Sequence, residues 1–95
     1  MDKTQLDNAR KEIDRINSEI TELLVERLKQ LDAVAQWKAA NGQPIFVPER
    51  EKAILDKVCQ QAGEEFSGEV EKVFQTIFQV SKEREAHLIA GGEKR

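Results

Sequence analysis

Residues Thr4 to Asn41, TQLDNARKEIDRINSEITELLVERLKQLDAVAQWKAAN, contain neither glycine nor proline and read as one unbroken helix. Counting by seven from Leu6 gives Leu6, Ile13, Ile20, Arg27 and Val34; counting from Ala9 gives Ala9, Ile16, Leu23, Gln30 and Trp37. The two series form an a/d seam, and the flanking e position carries Arg10, Asn17, Leu24, Leu31 and Lys38. Three long cations thus share a stripe with Leu, Ile and Val, and Arg27 stands where the pattern calls for an apolar side chain. At roughly 1.5 Å per residue the segment is about 55 Å long, whereas a compact domain of this size has a radius of gyration near ~13 Å. The helix outruns the core its own chain can build, so its stripe needs cover from a second copy. Two-fold pairing of identical helices is the simplest closed solution, and a homodimer is expected.

The remaining chain supplies two shorter helices. Asn41-Gly42 stops the first, and Gln43 to Pro48 forms an extended connection because each residue before a proline is pushed away from the α region. Pro48 opens a second helix that runs to Gln61 or Ala62, with Ile54, Leu55, Val58 and Ala62 as its apolar stripe and Gly63 at its end. A third helix is predicted from about Gly68 to Ala90, with Ser67 as a candidate cap and Val70, Val73, Phe74, Ile77, Phe78 and Leu88 as its apolar face. Thr4 or Asp7 is the candidate cap of the first helix. The expected architecture is all-α, three helices per chain, in an intertwined homodimeric bundle. Residues 1–90 form the domain, and 91–95 are a tail with nothing to pack, expected to fray.

Composition narrows the function. The 95 residues are 39% hydrophobic and 35% charged, which describes one small soluble domain. No apolar run approaches the ~18 residues that span a bilayer, and Met1 to Gln5 lacks the apolar core of a secretory signal, so a cytoplasmic location and no membrane partner are expected. Cys59 is the only cysteine, which excludes an internal disulfide, and His87 has no Cys or His neighbours at metal-ligand spacing. A net charge of −3 with interspersed signs argues against a nucleic-acid surface.

What remains is a set of polar residues on faces that should be buried. Extending the third helix's stripe from Phe74 and Ile77 reaches Ser81 and Glu85. With Arg10, Arg27 and Lys38, and with Arg50 and Glu51 at the start of the second helix, they make a group of seven in which four are cations. Buried unpaired charge is costly, so the cations must meet carboxylates of the protein or of a ligand. Arg27 and Lys38 are about 16 Å apart along the axis and can lean together over a small anion, but Arg10 lies about 26 Å from Arg27. Antiparallel pairing about residue 21 or 22 would set Arg10 of one copy between Arg27 and Lys38 of the other. Each residue alone also has a plainer explanation. Arg10 fits a rim ion pair, Arg27 a snorkelling arginine, Lys38 the helix dipole, and Arg50 and Glu51 first-turn surface charges. Ser81 fits a back-bonded serine, and Glu85 a partner of Lys82 or Arg84 or an exposed acid.

Leu6 to Arg10 followed by Ile13-Asp14-Arg15-Ile16, then Glu26-Arg27, Lys38, Pro44-Ile45, Pro48-Glu49-Arg50-Glu51 and Ser81, make an ordered set over nearly the whole chain. In this set the chain resembles the all-helical chorismate mutases of the shikimate pathway. The resemblance implies an intertwined homodimer with two sites and a cofactor-free Claisen rearrangement of chorismate to prephenate. By resemblance, Arg27 and Arg10 of the partner subunit clamp the substrate's carboxylates with Arg50 nearby, and Lys38 attends the ether oxygen. Glu51 would accept from the ring hydroxyl, and Ser81 would assist a carboxylate. Two positions depart from the family pattern: Val47 stands where many relatives have Asp, and Glu85 where many have a glutamine that donates to the ether oxygen. A carboxylate cannot donate but a carboxylic acid can, so activity is expected to fall as pH rises through the titration of Glu85. An isochorismate pyruvate lyase of the same fold and a non-catalytic helical dimerisation or regulatory module are the rival readings.

Overall fold

The computed structural model describes residues 1–93, and the side chains of residues 1–90. Among the described residues there are three helices and no strand: α1 (Lys3–Asn41), α2 (Pro48–Ala62) and α3 (Ser67–Glu93). The all-α, three-helix expectation holds. None of the described helices is long and apolar enough to cross a membrane.

The helix ends follow local chemistry. Asp2, rather than Thr4 or Asp7, caps α1: its carboxylate accepts from the Gln5 amide at 2.8 Å while the Gln5 side chain accepts from the Asp2 amide at 2.9 Å. This is a reciprocal capping box, and Asp2-Lys3-Thr4-Gln5 carried its signature. At the other end Gly42 takes φ +63°, and the Gln43 amide donates to the Lys38 carbonyl at 2.9 Å. That closure stops the helix one turn past Lys38. Pro48 is the first residue of α2, and Val47 before it is extended with no side chain capping the helix. Gly63 ends α2 at φ +86°, with its amide on the Cys59 carbonyl. Ser67 is not a cap. It opens α3, and its hydroxyl donates back to the Glu64 carbonyl at 3.4 Å. The last helix continues past Ala90 to Glu93, and Lys94 and Arg95 of the expected tail lie outside the described residues.

The chain divides into two units, residues 1–30 and the residues from Leu31 onward. In the second, α2 packs along α3. Its core centres on Ala35 and Phe78, which are buried, with the Phe74 ring edge-on to Phe78 at 6.1 Å. Ile54, Leu55, Val58 and Ala62 are half-buried along the predicted stripe of α2, as are Val70, Ile77 and Leu88 of α3. Val73 departs from expectation and is exposed, because it stands a step of about 100° round the helix from Phe74. The first unit is a single helical segment. Its seam residues Ile13, Ile16, Ile20 and Leu23 are all exposed, Leu23 by 63%. The same seam continues on the α1 end of the second unit, where Trp37 is 59% exposed. These are large apolar side chains at core spacing, and water is a poor environment for them.

Candidate active site

Lys38 lies on the last turns of α1, where the helix end is fixed by Gly42, and its side chain is directed back over the connection. The Nζ donates to the Ile45 carbonyl at 2.8 Å and lies 2.8 Å from Glu85 Oε1 of α3. Only 14% of the Lys38 side chain and 6% of the Glu85 side chain is exposed. Oε1 is buried, and the Lys38 ammonium is its charge partner. One turn before Glu85, buried Ser81 donates to the Ile77 carbonyl at 2.7 Å. The polar extension of the α3 stripe therefore is buried, as the spacing predicted. Glu85 pairs with Lys38, not with Lys82 or Arg84, the two partners that sequence proximity offered.

Both of those neighbours are engaged elsewhere. Arg84 reaches Asp32 at 3.1 Å, and Lys82 reaches Glu51 Oε2 on the first turn of α2 at 3.1 Å. The Lys82 ammonium also lies 4.5 Å from the Phe46 ring centroid, within cation–π range. Two lysines thus grip adjacent residues of the connection, Lys38 the Ile45 carbonyl and Lys82 the Phe46 ring. Sequence reading missed Lys82 and Phe46. The available signal was that Lys82 follows Phe78 by four residues, which sets it beside the buried stripe.

The structure therefore gathers Lys38, Ser81, Glu85 and Glu51 within the second unit. Arg50 stands next to Glu51, but its side chain is exposed and pairs with no carboxylate among the described residues. Arg10 and Arg27 belong to the first unit, where Arg10 is exposed and Arg27 half-buried. Chemically, this is a set of fixed charges and one hydroxyl. The Ser81 hydroxyl is turned onto the helix backbone, and Glu85 is matched with an ammonium. Such a set suits binding and transition-state electrostatics more than covalent catalysis.

The comparisons with known proteins cover the same residues. The family model for chorismate mutase type II matches residues 9–86. The bifunctional chorismate mutase/prephenate dehydratase of Aquifex aeolicus is 42% identical over 64 residues, which is 67% of this chain and 18% of that protein. The chorismate mutase of Methanocaldococcus jannaschii is 36% identical over 81 residues, 82% of this chain and 81% of that protein. The T-protein of Haemophilus influenzae is 40% identical over 50 residues, 53% of this chain and 13% of that protein. The chain thus spans less than a fifth of the Aquifex and Haemophilus relatives but most of the Methanocaldococcus one. No solved structure matches it significantly. Three helices, a cation-rich stripe and a match from residue 9 to residue 86 lead to one assignment: the chain belongs to the chorismate mutase type II family.

Proposed function

We propose that the chain catalyses the rearrangement of chorismate to prephenate, as a homodimer in which each site takes Arg10 of the partner subunit. The observation that carries this reading is the buried Lys38–Glu85 pair beside Ser81, inside the span that matches the family. In a pericyclic step no nucleophile is needed. The work lies in holding the enolpyruvyl ether folded over the ring and in meeting the charge that grows as the C–O bond breaks.

Each residue has a role suited to its chemistry. Arg27, Arg50 and Arg10 of the partner subunit bind the two carboxylates, for which guanidinium forks are matched. Lys38 donates to the ether oxygen, and Glu85, its charge partner, holds that ammonium in place. Glu51 accepts from the ring hydroxyl, and Ser81 assists a carboxylate. No cofactor enters the reaction. The exposed seam of α1, from Ile13 to Trp37, supports the pairing of two copies, since its apolar side chains gain by leaving water. A cytoplasmic location is part of the same reading.

The test is direct. Purified protein is incubated with chorismate and, separately, with isochorismate, while absorbance and products are followed. Prephenate from chorismate supports the mutase, salicylate from isochorismate identifies a pyruvate lyase, and a stable dimer inert towards both leaves a non-catalytic module.

A further inference from the structure

We propose that Lys82 is a positioning residue of this site, one that orients Glu51 and pins the connection at Phe46 from α3. The inference rests on the reading that Glu51 meets the substrate. The need for such a residue is visible at the start of α2. No side chain caps that helix, because the Val47 side chain has no acceptor. The Val47 carbonyl accepts from the Arg50 and Glu51 amides and holds the backbone of the first turn, but nothing on the first turn itself orients the Glu51 carboxylate. Lys82 supplies the hold from outside. Its ammonium is 3.1 Å from Glu51 Oε2 and 4.5 Å from the centroid of the Phe46 ring, so one charge fixes two elements. Phe46 is itself 52% exposed.

Charge gives Lys82 a second effect. An ionised Glu51 beside a doubly anionic substrate repels it, and a partner ammonium offsets that repulsion while leaving the carboxylate an acceptor. Along α3 the succession is then Ser81, Lys82 and Glu85: a hydroxyl, a support for Glu51, and the partner of Lys38.

Two measurements decide the matter. In the wild type, NMR should find the ε-methylene protons of Lys82 shifted upfield by the Phe46 ring, and ordinary lysine shifts there would overturn the contact without any variant or any turnover. Kinetically, Lys82→Met should lower kcat/KM by roughly tenfold, inside the up to ~100-fold that loss of positioning can cost, and Lys82→Arg should restore most of it. Because Lys82 acts in part through Glu51, Lys82→Met added to Glu51→Gln should cost clearly less than Lys82→Met does in the wild type. Fully additive losses, or Lys82→Met turning over like the wild type, overturn the role. A wild type inert towards chorismate refutes the proposed reaction and, with it, the role of Lys82 at the site, while the NMR shifts still report on the clamp.

Discussion

Lys38 Nζ lies 2.8 Å from Glu85 Oε1, in a place where both side chains are largely withdrawn from solvent. Removing one member of such a pair strands the other charge. Lys38→Met is expected to destabilise the fold by ~3 kcal/mol, the lower end of what breaking a buried pair costs. The double variant Lys38→Met/Glu85→Gln should recover most of that loss, because no charge is then left alone. Urea midpoints of the three proteins check this, and equal losses in the single and double variants would contradict it.

The same pair bears on the proposed reaction. A carboxylate paired with Lys38 cannot donate to an ether oxygen, whereas a glutamine amide at position 85 can. Glu85→Gln should therefore turn chorismate over at least as fast as the wild type. A tenfold or greater fall in its kcat/KM would show instead that the carboxylate itself is needed to hold Lys38.

Ion pairs out in solvent should behave differently. Arg15 bridges Glu12 and Glu19, and Lys52 meets Asp56, with every one of these side chains more than half exposed. Arg15→Ala and Lys52→Ala are each expected to cost less than ~0.5 kcal/mol. Asp32→Asn, which breaks the partly shielded pair with Arg84, should cost less than ~1 kcal/mol. Thermal denaturation of the three variants beside Lys38→Met would show whether shielding, rather than the mere presence of a pair, governs the effect.

Much of this was legible in the residue order. The absence of Gly and Pro before Gly42 predicted α1, and Pro48 and Gly63 bracketed α2, because these residues act on the backbone locally. Ser81 and Glu85 were placed on the buried stripe by periodicity alone, and both are buried. Partner choice was not legible. Lys82 and Arg84 are the cations nearest Glu85 in sequence, yet Lys38 on another helix takes it, since side-chain direction across a helix pair depends on packing. Arg10 and Arg27 show a second limit. Periodicity set them on the stripe, but what covers a stripe on residues 1–30 is a matter of assembly, which one chain's pattern does not specify.

Val47 offers a stability gain. It is extended, at φ −126° and ψ 91°, which is the backbone a capping residue adopts, but its side chain has no acceptor. Val47→Thr keeps the branched shape and adds a hydroxyl oxygen that can accept from a first-turn amide of α2. It should stabilise the fold by ~0.5–1 kcal/mol, the ordinary worth of a cap, and raise Tm by a few degrees. An unchanged or lowered Tm in calorimetry would mean that the hydroxyl costs as much in this half-buried position as it returns.

Subunit mixing tests the proposed sharing of Arg10. Arg10→Ala removes a cation that serves the other copy's site, whereas Lys38→Met disables the copy that carries it. Each homodimer should be nearly inactive. In a mixed dimer, however, the Arg10→Ala chain keeps its own Lys38 and receives Arg10 of the partner subunit, so one of its two sites is whole. Random reassociation of equal amounts gives half mixed dimers, and activity should return to roughly a quarter of the wild-type value. If Arg10 instead serves its own chain's site, every site in every mixture carries a lesion and nothing returns. The recovery depends on dimers exchanging, which sedimentation of the mixture verifies, and its failure in exchanging dimers would place Arg10 outside the partner's site.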